Sequence, residues 1–174
     1  MDVALRRKAM YAEDDNLIYL ARNLVCTGSN FFDTGFAAFS SANINKNFKI
    51  TIRLSSFTPD PNVTQAVILG CKYEGTKDGL QWPGIYIRRN GTKFDIGGYN
   101  YYQPVIANTL NNNIQIWRKN GSFKCLIDGM EQKNLSVRST TFDQNIVLGA
   151  GVQTDGTKFR YSKCTIDYIR IEYI

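Results

Sequence analysis

Residues 114–129, IQIWRKNGSFKCLIDG, constrain the fold of this chain more than any other stretch. Ile114 and Ile116 alternate with polar Gln115, and Phe123, Cys125 and Ile127 alternate with Lys124 and Asp128. Asn120-Gly121 stands between the two runs, and Asp128-Gly129 closes the unit. A period of two on both sides of Asn-Gly predicts a β-hairpin, because Asn and Gly accept the positive φ that a type I′ turn requires. The remainder of the chain is expected to pair with this hairpin and to cover one of its faces.

The other short runs follow the same grammar. Residues 48–54, FKITIRL, alternate strictly, with Phe48, Ile50, Ile52 and Leu54 on one face and Lys49, Thr51 and Arg53 on the other. Residues 17–25, 31–36, 67–71 and 145–148 read as further strands, and 165–174 as a last strand apolar on both faces. Residues 85–87 and 92–96 flank Asn90-Gly91 as a second hairpin. Residues 27–30, 58–62 and Asp155-Gly156 read as turns or loops, 74–84 as a long polar loop carrying Trp82, and 97–104 as an aromatic loop. About ten to twelve short strands, with turns roughly every 8–12 residues, predict an all-β sandwich of two antiparallel sheets. A length of 174 residues suits one domain with a sizeable core. Residues 2–13 read as a short helix with Asp2 as N-cap, so the expected division is a helical attachment at 1–15 and the sandwich at 16–174.

The composition excludes several chemistries. The chain has no histidine, which removes a Ser-His-Asp triad, a Cys-His dyad and a histidine zinc site. Its four cysteines, Cys26, Cys71, Cys125 and Cys164, show no CxxC spacing, which argues against zinc. They read as buried thiols, with two disulfides in any of three pairings left open. The net charge of +6 bears on partners rather than on fold. Arg6-Arg7-Lys8 is the dense basic cluster, and no basic helix or nucleic-acid motif is present. No run is long enough to span a membrane as a helix, and the N-terminus lacks the apolar run of a secretory signal. The Asn-x-Ser/Thr matches at Asn62, Asn90, Asn120 and Asn134 read as turn chemistry.

The order of the pieces resembles the laminin-G-like or concanavalin-like jelly roll of lectins and glucanases over most of residues 17–174. Five places carry it: Phe32-Asp33-Thr34-Gly35, the strand at 48–52, the hairpin ending Ile127-Asp128-Gly129, Ile146-Val147-Leu148-Gly149-Ala150, and the closing run at 166–171. Ser162-Lys163-Cys164 stands where that family usually has a Gly before the last element. A narrower resemblance covers residues 5–10, 18–20 and 27–35. They are similar to the opening of laminin-G-like proteins encoded in tail regions of bacteriophages and prophages of gut Firmicutes. It implies a tail or baseplate accessory that binds surface glycan, located on a virion or, when expressed from a prophage, in the bacterial cytoplasm.

Glucanases of the resembling fold use Glu-x-Asp-x-x-Glu, and retaining hydrolysis needs two carboxyl groups about 5–5.5 Å apart. The glutamates beyond residue 13 are Glu74, Glu131 and Glu172, widely separated and outside any such motif. Residues 76–82 have a limited resemblance to a sialidase Asp box, but with the wrong Asp–Gly spacing. The chain is therefore expected not to be an enzyme. Sugar recognition instead needs aromatic faces for the apolar sides of the rings and planar polar groups for the hydroxyls. The candidate ligand-binding set is Trp82, Tyr99, Tyr101 and Tyr102, with Asp78, Asn100 and Gln103 for hydrogen bonds. Trp82 would stack and the tyrosines form a wall. The competing expectation is that these rings are core residues. Trp117, of opposite parity to Ile114 and Ile116, is expected on the second face of its sheet.

The laminin-G resemblance also implies calcium, for which Asp78 and Asp95 are the candidate ligands and Asp155 a third, although no dense acidic loop is present. No other cofactor is expected. The partners expected are a glycan or cell-wall polysaccharide, and other tail or baseplate proteins through residues 1–15. Oligomerisation stays open. The alternative function is a structural or assembly protein of a virion or cell surface with no glycan ligand.

Overall fold

The computed structural model describes residues 14–58, 66–71, 86–90, 93–98, 101–106, 113–132, 141, 143–152, 158–159 and 161–174. At 71, 86–90, 93–98, 101–106, 132, 152 and 158–159 the description is of the backbone alone. In chain order the strands are β1 (Leu17–Thr27), β2 (Phe32–Asp33), β3 (Phe48–Thr58), β4 (Ala66–Cys71), β5 (Tyr86–Asn90), β6 (Lys93–Gly98), β7 (Tyr101–Ile106), β8 (Asn113–Lys119), β9 (Ser122–Ile127), β10 (Met130–Gln132), β11 (Ile146–Leu148), β12 (Gly151–Val152), β13 (Lys158–Phe159) and β14 (Lys163–Tyr173). One six-stranded sheet has the order β1-β14-β3-β8-β9-β10, and a second has the order β2-β11-β4-β5-β6-β7. β12 and β13 form a separate two-stranded ladder. Every pair is antiparallel. One apolar cluster takes residues from both sheets, among them Ile50, Ile52, Ile114, Ile166 and Ile169 from the first and Ile68, Leu69, Ile146 and Leu148 from the second. The chain is an all-β sandwich. No helix occurs among the described residues. The expected helix at 2–13 lies outside them.

The strongest turn signals form as their chemistry dictates. Asn120 and Gly121 have φ of 52° and 77°, and Asp128 and Gly129 have 50° and 82°. Both are the positive-φ pairs of I′ hairpins, and they join β8, β9 and β10 into a meander. The rest of the chain was expected to pair with this hairpin, but outside the meander only β3 pairs with it, at β8. The meander forms one flank, and β14 and β3 lie in the middle. Local turn chemistry marks where strands reverse, but central position is set by which strands pair on both sides, and the partners of β3 are remote in sequence.

The final strand, β14, is central between β1 and β3. Its apolar residues occur at both parities for a different reason from burial on both faces. Cys164 and Ile166 are buried, then Asp167 and Tyr168 are both half-buried, then Ile169 and Ile171 are buried. The inward parity switches once. β1 switches at the same level: Ala21 is buried, Arg22 and Asn23 are both exposed, and Leu24 and Cys26 are buried. Asn23 makes this switch with φ of 53°. In β3 the inward set is Phe48, Ile50, Ile52 and Leu54, then Phe57. The register between β14 and β3 slips at this level, between Thr165 and Ile166 and again between Ile166 and Tyr168. Three adjacent strands thus change parity together, so the core face stays continuous while each sequence loses its strict alternation.

Residues 34–46 carry no period in the sequence, yet Phe36, Ala38 and Phe39 are fully or almost fully buried. Short turns hold them, with Ile44 N donating to Ser40 O at 2.8 Å and Asn43 Nδ2 to Ala37 O at 3.0 Å. Phe39 stacks on Phe123 of β9 with centroids 6.2 Å apart, which closes the core over the β8–β9 end.

Candidate functional site

Of the residues nominated for sugar contact, Asp78, Trp82, Tyr99 and Asn100 lie outside the described residues. Tyr101, Tyr102 and Gln103 belong to β7, and the metal candidate Asp95 belongs to β6. The stretch read as an aromatic loop at 97–104 is therefore mostly ladder: Gly98 pairs with Tyr101, Gly97 with Tyr102, Ile96 with Gln103 and Asp95 with Pro104. Gly97, Gly98 and Pro104 mimic loop punctuation. Pro104 is tolerated because β7 ends the strand order of its sheet, where a missing N–H breaks no inner ladder, whereas Gly97 and Gly98 lie in β6 and keep their N–H groups. The second hairpin also shifts. Asn90 belongs to β5 and pairs with Lys93, so it lies in the ladder rather than in the turn.

This register settles which positions can act together. One row across β5, β6 and β7 is Arg88–Asp95–Pro104, and the row two positions along is Tyr86–Gly97–Tyr102. These share a face, because directly opposed residues and positions two apart do so. Ile87–Ile96–Gln103 and Gly98–Tyr101 form the alternate set. The alternate set continues through Leu69, which pairs with Ile87 and belongs to the core. Positions 101 and 102 thus fall on opposite faces, and a wall using both is not built by this strand. Asp95 stands in a row with Arg88. No group of three or more metal-ligating side chains occurs among the described residues.

The outward face of the first sheet is polar and aromatic. Its register brings Arg22, Tyr168, Arg53 and Asn113 into one row, and Leu17, Glu172, Lys49, Trp117 and Lys124 into another. The guanidinium of Arg22 lies 5.0 Å from the Tyr168 ring, and Lys49 Nζ lies 5.2 Å from the Trp117 ring. Trp117 is half-buried on this face, as its parity predicts. Sequence reasoning did not nominate the face as a unit. The signal was the row of outward charges in FKITIRL and IDYIRIEY.

Three carboxylates on or beside this face are paired with cations. Lys124 Nζ donates to Glu131 at 3.1 Å, and Arg170 donates to Glu172 at 2.7 Å and to Asp14. The hydrogen bond to Glu172 raises the Arg170 pKa, burial lowers it, and Asp14 adds to the rise, so the guanidinium is held in its charged form. Arg118 is the exception to the polar-out rule. It shares the inward parity of Ile114 and Ile116, is 7% exposed, and lies over Phe123 at 5.7 Å. Burial lowers its pKa, and its Nη1 has no hydrogen-bond partner.

No family model and no curated protein matches this chain. Solved structures do. The NanB sialidase from Streptococcus pneumoniae is similar over 90% of this chain and 26% of its own, with a TM-score of 0.61 and 12% identity. The leech intramolecular trans-sialidase complexed with 2,7-anhydro-Neu5Ac is similar over 90% and 26%, with a TM-score of 0.59 and 11% identity. This chain thus spans about a quarter of those proteins. The Ruminococcus gnavus IT-sialidase CBM40 bound to α2,3 sialyllactose is similar over 89% of this chain and 91% of its own, with a TM-score of 0.62 and 13% identity. At such identities the likeness concerns the backbone: this chain has the β-sandwich fold of these structures, and as a whole it has the extent of a CBM40 module.

Proposed function

We propose that this chain is a non-catalytic carbohydrate-binding module whose ligand is an acidic, sialic-acid-bearing glycan. The likeness to the CBM40 module over nearly the full length of both chains carries this reading, because that module's structures include complexes with α2,3 and α2,6 sialyllactose. The net charge of +6 favours an anionic ligand. The site is placed on the β5–β7 part of the second sheet and the adjoining segments 74–84 and 99–100. Trp82 stacks on the sugar. Arg88 and Tyr102, on the face opposite to the core set, take the carboxylate and the ring, and Asp78 and Asn100 are the remaining polar candidates, whereas Gln103 falls in the set that continues into the core. At a finer level the module is a phage or prophage tail or baseplate accessory, on a virion or in the host cytoplasm during expression. The similarity of residues 5–10, 18–20 and 27–35 to such openings supports this.

A glycan array run with and without calcium tests the reading. Wild-type protein is expected to retain sialylated glycans over their desialylated counterparts, and Trp82→Ala and Arg88→Ala each to weaken retention by about tenfold or more. Binding that ignores sialic acid would overturn the ligand class. Retention unchanged by both substitutions would move the site. A folded protein that retains no glycan would leave the assembly role.

A further inference from the structure

We propose that Cys26 and Cys164 are a latent cross-strand disulfide, a site of reversible oxidation that staples the first strand of the sandwich to the last.

The pairing follows from the ladder. Cys26 of β1 and Cys164 of β14 are direct register partners. Directly opposed residues of an antiparallel pair have Cα atoms about 4.5–5.5 Å apart, inside the window of about 4.4–6.8 Å that a disulfide accepts. Both side chains lie on the core face, 2% and 4% exposed. Both are free thiols, and as directly opposed residues of one antiparallel pair they project from the same face of the sheet. The surroundings hold them in place. Ser162 Oγ lies 3.4 Å from Cys164 Sγ, and Cys26 Sγ packs so closely on Gly149 that a Cβ there would come within 2.7 Å of it. Ser162 and Gly149 are themselves tied by the bond from Ser162 N to Gly149 O at 2.9 Å.

The chemistry is also favoured at this pair. The hydrogen bond from Cys26 stabilises a thiolate on Cys164 and lowers its pKa, whereas Cys26 is raised, by that same bond first and then by burial. Cys125 makes the contrast. Burial alone pushes it up to about 12. With a peroxide as oxidant, the Cys164 thiolate attacks one peroxide oxygen, the O–O bond breaks, and a sulfenic acid forms with release of water after protonation. The Cys26 sulfur then attacks the sulfenic sulfur, giving the S–S bond and a second water. Two thiols are oxidised and one peroxide is reduced. The residues lie one position from the ends of their strands, at Thr27 and Lys163, where fraying admits a small oxidant. A chain made in a reducing cytoplasm thereby gains a covalent staple once outside it.

The test uses the full chain. Folded protein is treated with hydrogen peroxide, and a second sample is refolded in its presence. Remaining thiols are alkylated under denaturing conditions, and the chain is cut with trypsin. The four cysteines fall on four different tryptic peptides, so the pairing is read directly. The expected product joins the peptide Asn23–Lys46 to Cys164–Arg170, two hydrogen masses below their sum, and separates on reduction. Its formation raises Tm by about 5 °C or more, and Cys26→Ala abolishes that rise. A link from Cys26 or Cys164 to Cys71 or Cys125, sulfinic or sulfonic acid at either position without a link, or no link in both samples would each overturn the proposal.

Discussion

In the first sheet the buried residues of β3 alternate with Lys49, Thr51 and Arg53, whereas in the second sheet residues 66–70 of β4 and all of β11 are buried without a break. The difference lies in what covers the outward side. On the first sheet it is the polar rows of Arg22, Arg53, Lys49 and Trp117, whose charges remain in water. On the second sheet Val147, in the middle of β11, forms a small outer cluster with Ala150, against which Phe31 and Tyr161 pack. One six-stranded sheet therefore has one dry face, and part of the other has two. A strand that reads as a continuous apolar run must find a cover on each side, and here Phe31 and Tyr161 provide it for β11.

Neighbouring positions should respond accordingly. In β3, Ile52→Ala is expected to cost about 3 kcal/mol and Thr51→Ala less than about 0.5 kcal/mol, because the first opens a cavity in the core and the second trims a half-exposed side chain. In β11, Val147→Ala and Leu148→Ala are both expected to cost about 2 kcal/mol or more. Urea unfolding midpoints at constant m check all four. A Val147→Ala protein as stable as wild type would show that the outer cluster contributes nothing and that the second sheet is effectively one-sided.

The two sheets also meet differently at their glycines. Gly149, just past β11, has φ of 89°, and a Cβ there would come within 2.7 Å of Cys26 Sγ and 3.4 Å of Asn30 O. Gly121, in the β8–β9 turn, has φ of 77° with open space where a Cβ would go. Both substitutions to Ala strain the backbone, but only the first also collides. Gly149→Ala is expected to cost about 2 kcal/mol and Gly121→Ala about 1 kcal/mol. In a Cys26→Ala background the Gly149→Ala penalty should shrink while the Gly121→Ala penalty stays unchanged. Equal penalties in both backgrounds would show that the close approach to sulfur is not what fixes glycine at 149.

The same contrast explains how much could be read from the chain. Asn120-Gly121, Asp128-Gly129 and the FKITIRL alternation are local signals, and they located β8, β9 and the first part of β3, while β10 after Asp128-Gly129 was not read as a strand. The parity switch shared by β1, β14 and β3 is not local. It shows in one strand only as Ile-Asp-Tyr-Ile, which resembles burial on both faces until the neighbouring strands are aligned with it. The candidate site was legible only as composition. Tyr101, Tyr102 and Gln103 were singled out as aromatic and polar neighbours, but Gly97 and Gly98 of β6 and Pro104 of β7 made two paired strands look like a loop. With the ladder in place, period two separates Tyr101 from Tyr102 and brings Tyr102 into the set that contains Arg88 and Asp95. Arg118 shows the reverse limit: its parity pointed inward all along, and only its charge argued against a buried position.

A small stability effect is also expected at Trp117 on the polar face, and it carries the most information about function. Trp117 is half-buried with Lys49 Nζ over its ring at 5.2 Å, and its pairing partners are Lys49 and Lys124. One side of the ring is thus occupied by an ammonium whose attraction contributes about 0.5–1 kcal/mol. Trp117→Ala should lower stability by no more than about 1 kcal/mol, far below Ile52→Ala, because the ring lies on the solvated face and leaves no cavity in the core. On the same glycan array used for Trp82→Ala and Arg88→Ala, Trp117→Ala should bind as wild type does. If it instead loses the ligand while Trp82→Ala and Arg88→Ala retain it, the lysine-flanked tryptophan is the sugar platform. The working surface would then be the one-sided sheet, with its continuous charged rows, rather than the β5–β7 sheet.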